Sequence, residues 1–156
     1  MMRWLGLAFW IVLTLGVGGI SGVLTAGEVN GWYRTLARPS FTPPDWLFGP
    51  VWTLLYLMMG VAAWLATSAA SGPLRARIAS VFLAQLALNF AWSLIFFNKH
   101  ATGAALVEVI VLWLAIVLCA WLFAQSSRLA ALLMIPYLGW VSFATALNAG
   151  YWWLNR

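Results

Sequence analysis

Charge is scarce in this sequence: three acids and eight lysines or arginines make up 7% of 156 residues, against 65% hydrophobic ones. So little polar surface cannot coat a water-soluble domain, which places the chain in a bilayer. The one cysteine, Cys119, sits inside an apolar run, so an internal disulfide and a thiolate metal cluster are excluded. The one histidine, His100, stands beside Lys99 and reads as an interface residue rather than a metal or haem ligand. Also missing are a nucleophile with its base, a glycine-rich phosphate loop and a carboxylate pair. A net charge of +5 would point a soluble chain toward nucleic acid. Here the cations are scattered one or two at a time among apolar stretches, as loop anchors are, so no nucleic-acid partner is expected.

What the sequence has in excess is apolar runs. Five stretches, about 5–26, 46–67, 75–97, 102–124 and 129–153, each reach the roughly 20 residues that cross a bilayer. The first is longer than the ~7–15 residues of a signal-peptide core and is read as retained. The expectation is an all-α, multi-pass membrane bundle: one five-helix domain over 1–156. A long loop, 27–45, joins its first two helices. Orientation is not readable, because Arg3, Arg75, Arg77 and Arg128 on one side balance Arg34, Arg38, Lys99 and Arg156 on the other.

The segment from Gly27 to Asp45 is the longest polar stretch. Trp32, Tyr33 and Leu36 would share one face of a short helical turn, and Pro39, Pro43 and Pro44 then force extended backbone. Loops of this length tend to carry function, and this one reads as a lid folded over the bundle. Asp45 is placed to cap the second span, Pro50 to mark or kink its first turn, and Pro136 to bend the fifth. Gly18 and Gly22 form a small-xxx-small pair that permits close helix approach, within one chain or between two.

Polar residues inside apolar spans need partners or a ligand, since an unpaired amide in hydrocarbon costs several kcal/mol. Gln85, Asn89, Trp92 and Phe96 make one helical stripe, as do Trp52, Tyr56 and Met59, and as do Tyr137, Trp140, Ala144, Asn148 and Tyr151. Counting along the spans puts Trp52, Asn89 and Asn148 in the half of the membrane beneath the lid. Two readings follow: an aromatic cavity for a planar, mostly apolar ligand, or amides that simply hold helices together. Trp4, Trp46, Trp121, Trp152 and Trp153 lie near span ends, where interfacial belts place them, whereas Trp52, Trp92, Trp113 and Trp140 lie deeper. Glu108 is the one acid inside a span, a functional candidate by position.

These residues resemble the TspO/MBR family, the tryptophan-rich sensory proteins of bacteria and the mitochondrial translocator protein, or peripheral benzodiazepine receptor. Three blocks carry the resemblance in order. The first is Trp32-Tyr33, Arg38-Pro39-Ser40, Pro43-Pro44, Trp46, Phe48, Pro50-Val51-Trp52-Thr53, Tyr56 and Met59-Gly60. The second is Gln85-Leu86-Ala87-Leu88-Asn89, Trp92 and Phe96-Phe97. The third is Pro136-Tyr137-Leu138, Trp140, Phe143-Ala144-Thr145 and Leu147-Asn148.

The resemblance implies a five-helix bundle, usually dimeric through small-residue helix faces, in a bacterial membrane that is either inner or outer. It implies a porphyrin such as protoporphyrin IX as ligand, sterols or benzodiazepine-type compounds in some members, and no required cofactor or metal. The ligand positions it favours are Tyr33 in the covering loop with Trp52, Tyr56, Asn89, Trp140, Ala144 and Asn148; the helical stripes and motif blocks add Gln85, Trp92 and Phe143. Some bacterial members are proposed to degrade protoporphyrin in light using the tryptophans that match Trp52 and Trp140, which gives an enzymatic alternative to sensing, sequestration or transport. A ligand-regulated scaffold is a third. The tail Leu147, Tyr151 and Arg156 fits a proposed sterol-recognition pattern. Two departures stand out: Phe41 where many relatives have Trp, and Ser93-Leu94 where a proline-containing step is common.

Overall fold

The computed structural model describes residues 2–156, with side chains from Trp4 onward, so that of Arg3, a candidate anchor, lies outside the described residues. Helix α1 (Met2–Asn30) is followed by the short α2 (Trp32–Thr35), a 3-10 turn (Asp45–Leu47) and α3 (Phe48–Ala69). Then come α4 (Gly72–Ser93), a π-helical turn (Leu94–Asn98), α5 (Thr102–Ala124), α6 (Arg128–Leu133) and α7 (Ile135–Leu154). Five helical segments are long and apolar enough to cross a membrane, and no strand occurs among the described residues. The chain is therefore a multi-pass membrane bundle.

Its outer surface is apolar, with Val12, Val23 and Val107 each about two-thirds or more exposed (70%, 78% and 66%), which is how a wall facing hydrocarbon differs from one facing water. Inside, Met59, Ala62 and Ala66 of α3 pack with Phe82 of α4, Ile116 of α5 and Tyr137 of α7, all fully buried. Small residues set the helix spacing: a Cβ on Gly60 would stand 2.9 Å from the Cα of Ile11, so α1 and α3 touch backbone to backbone there. Hydroxyls in the spans are satisfied locally, as when Thr14 donates to the carbonyl of Trp10 and Thr67 to that of Ala63.

Proline acts as expected in the last span. The helix is interrupted at Met134, between α6 and α7, with Pro136 in the first turn of α7 where its missing N–H costs nothing. The third span changes its hydrogen-bonding without a proline: after Ser93 the backbone widens into the π turn, with Lys99 N bonded to Leu94 O and Ala101 N to Ile95 O.

Two expectations are corrected. The 27–45 segment is not one long loop, because α1 continues to Asn30 and α2 follows at once, leaving only 36–44 irregular. Hydropathy marks where the hydrocarbon ends, and the helix runs past that point because Glu28, Val29 and Asn30 are all compatible with it. Asp45 makes no side-chain cap for α3, which it precedes and whose N-cap position is Leu47. Its carboxylate is taken by the Arg38 guanidinium, at 3.1 and 3.4 Å.

Candidate ligand cavity

A cavity of about 540 Å³ lies in the lid-side half of the bundle, bounded by α1, α3, the end of α4 with its π turn, α7 and the lid. That volume is in the ~300–1,000 Å³ range of small-molecule sites. Of the ten candidate ligand residues, Tyr33, Trp52, Tyr56, Trp92, Trp140, Ala144 and Asn148 line it. The stripes on α3, α4 and α7 explain this, since steps of three and four residues keep side chains on one face of each helix.

The remaining three stand behind the wall. Asn89 is buried between helices: it accepts from the Tyr56 hydroxyl at 2.5 Å and donates to that of Tyr137 at 3.0 Å. Tyr137 donates in turn to Gln85 Oε1 at 3.1 Å. This chain Tyr56–Asn89–Tyr137–Gln85 ties α3, α4 and α7 together beside the cavity, and only Tyr56 among the four faces it. Phe143 packs on Trp140, ring centres 5.5 Å apart, and also meets Phe41 of the lid at 6.3 Å. It supports a wall residue rather than forming the wall.

The wall is mainly aromatic. Trp52 leans on Tyr56 at 5.6 Å and edges onto Tyr137 at 6.3 Å; Trp140 meets Phe48 at 5.8 Å. Trp92 stacks on Phe96 at 5.3 Å and donates its indole N–H to Asn148 Oδ1 at 3.0 Å, while Asn148 Nδ2 donates to Thr102 O at 2.8 Å. Asn148 thus has both ends of its amide occupied by the protein. The indole N–H of Trp140 does not: it is buried and has no hydrogen-bond partner.

Several wall residues had no place in the three sequence stripes. Phe48 and Phe97 complete the ring cluster beside Phe96 of the α4 stripe, and α1 contributes Ser21 and Thr25, both buried. Ser21 and Thr25 are spaced i, i+4 in an otherwise apolar run, a signal of the same kind as the stripes.

The sterol-pattern residues separate in space. Leu147 and Tyr151 are buried and line the cavity, whereas Arg156 is exposed, its guanidinium 3.5 Å from the Trp153 ring centre. Glu108 is not on the cavity, and both its carboxylate oxygens are buried with no hydrogen-bond partner. Trp113 spans from α5 to Ser142 on α7 at 2.8 Å, which accounts for its depth. His100 stacks on Trp32 with ring centres 4.2 Å apart and contacts Glu28 Oε2 at 2.8 Å. No group of three or more possible metal ligands occurs among the described residues.

The lid is fastened at several points. Tyr151 donates to the Tyr33 hydroxyl at 2.7 Å, and Asn155 brackets Ala37, accepting from its N–H at 2.9 Å and donating to its carbonyl at 3.0 Å. The Arg38 guanidinium lies 5.3 Å from the Tyr33 ring centre and pairs with Asp45. That hydrogen bond raises the Arg38 pKa further, and burial raises that of Tyr33. Both groups stay in their protonated forms at any ordinary pH.

Comparison with known proteins agrees with this architecture. The family model described as TspO/MBR family matches residues 10–154. The Tryptophan-rich protein TspO of Archaeoglobus fulgidus is 40% identical over 154 residues, covering 99% of each chain. That of Chlorobaculum tepidum is 44% identical over 147 residues, 92% of each. The human Translocator protein is 39% identical over 128 residues, 81% of this chain and 76% of its own.

Proposed function

This chain belongs to the TspO/MBR family, and we propose that it is a membrane receptor whose cavity binds a porphyrin of the protoporphyrin IX type. The observation that carries the reading is the aromatic cavity itself, with Trp52, Trp92 and Trp140 on its walls. Flat rings favour a flat apolar ligand, because offset stacking adds about 0.5–1.5 kcal/mol per ring pair to the burial of apolar area. Arg34, held on Asn30 at 3.1 Å where Asn30 reaches the cavity rim, offers a cation to a ligand carboxylate at the water side. Binding of this kind serves sensing, sequestration or transport of tetrapyrroles, with two copies of the chain forming a dimer.

Titration of protoporphyrin IX into the protein in lipid nanodiscs tests the reading. Saturable quenching of tryptophan fluorescence supports it, and a response that rises linearly without saturation refutes it. Illuminating the complex under air addresses the enzymatic alternative: only an enzyme yields a product spectrum that depends on the protein.

A further inference from the structure

Resting on the reading that the cavity holds a flat apolar ligand, we propose that this ligand exchanges directly with the membrane hydrocarbon. The route is a lateral mouth between α1 and α3, not a path through the lid. The substrate class is thereby a membrane-dissolved compound rather than one captured from water.

Helices α1 and α3 run antiparallel, so their contacts can be followed level by level toward the lid. At Gly60 the two backbones meet: a Cβ there would lie 2.9 Å from both Ile11 Cα and Thr14 Oγ1. One level up, Gly18 leaves just the space that the Tyr56 ring fills, and a Cβ on Gly18 would overlap that ring. Beyond Tyr56 the contact ends. A Cβ on Gly22 or on Gly49 would meet nothing within 4 Å. Both glycines, with Ala26 and Thr53, are exposed and border the cavity. Exposed small residues along one edge of the cavity, where backbone contact gives way to empty space beyond Tyr56, point to an opening between the two helices.

What surrounds the opening is hydrocarbon-facing. Ile20, Val23 and Leu54 beside it are 57%, 78% and 58% exposed and wholly apolar. On the water side the lid is tied down by the Tyr33–Tyr151 bond, the Asn155 bracket on Ala37, the Arg38–Asp45 pair and the His100–Glu28 contact. A ligand leaving past the lid must break those ties, whereas one leaving sideways breaks none of them.

The test fills the mouth. Gly22→Leu with Gly49→Leu adds bulk where the structure has room, and Ala26→Leu with Thr53→Leu is a second plug should the first not fold. Protoporphyrin IX is exchanged between phosphatidylcholine vesicles and reconstituted protein, followed by stopped-flow fluorescence. Plugging is expected to slow association and dissociation together, each at least tenfold, while Asn155→Ala, which releases a lid tie, changes either by less than threefold. Unplugged rates in a folded plugged variant overturn the proposal, as does a change in its oligomeric state, which would make this face an interface between copies. A readout without porphyrin keeps this separate from the binding reading. Vesicles of dibrominated phosphatidylcholine should quench the intact protein more than the plugged one, because acyl chains reach Trp52 through the mouth. Equal quenching overturns the mouth even where porphyrin binding holds; absent porphyrin saturation with unequal quenching overturns the binding reading alone.

Discussion

Tyr33 in the lid and Tyr151 in the last helix are 118 positions apart, yet their hydroxyls meet at 2.7 Å inside the protein. Tyr151 donates, Tyr33 accepts, and both rings sit in one aromatic cluster with Phe96. The bond fixes the lid to the end of the bundle. Tyr33→Phe removes the acceptor and leaves a buried donor, a loss of about 1 kcal/mol. Local opening of the lid should then rise about fivefold, read as faster amide exchange confined to 31–44. Unchanged exchange would mean that the other ties hold the lid unaided. Because Tyr33 is kept neutral by burial, this effect should be the same on either side of neutral pH.

Asn89 separates the two roles that an amide inside a span can have. It joins Tyr56 to Tyr137 and does not line the cavity. Asn89→Leu should therefore cost about 0.6–2 kcal/mol of bundle stability, seen as a lower Tm, and weaken porphyrin binding only through Tyr56, by less than tenfold. Abolished binding at unchanged Tm would show the amide acting on the ligand instead.

Gly18 and Gly22 look equivalent in the sequence and are not equivalent in the fold. A side chain at Gly18 collides with the Tyr56 ring, so Gly18→Ala should destabilise by about 1–3 kcal/mol. Gly22→Ala meets open space and should be neutral or stabilise by up to about 1 kcal/mol, as helix propensity dictates. Thermal unfolding of both single variants in the same detergent checks the contrast; equal Tm losses would contradict it.

The five spans were legible because hydrocarbon imposes length and composition on any segment that crosses it, and the pocket stripes because helical periodicity is regular. Both signals are local. The lid boundary was misread since a helix can continue into water, and Gly27–Asn30 carries nothing that stops one. The difference between Asn148 on the wall and Asn89 behind it depends on how α3, α4 and α7 rotate against each other, which no single helix records. The π turn after Ser93 had no visible cause in the residues themselves. The α1 wall was missed although Ser21 and Thr25 carry the i, i+4 polar signal, because glycines there drew the reading toward helix packing.

The central claim is that a porphyrin lies against Trp52 and Trp140, and paired tryptophan replacements test it most directly. Trp52→Leu with Trp140→Leu removes two cavity rings. Trp4→Leu with Trp121→Leu removes two that are 70% and 62% exposed on the outer surface. With both proteins shown to be folded, protoporphyrin IX titrations in nanodiscs should show the saturable quenching component lost in the first and kept in the second. Saturable quenching of equal amplitude and midpoint in the first protein would contradict the account.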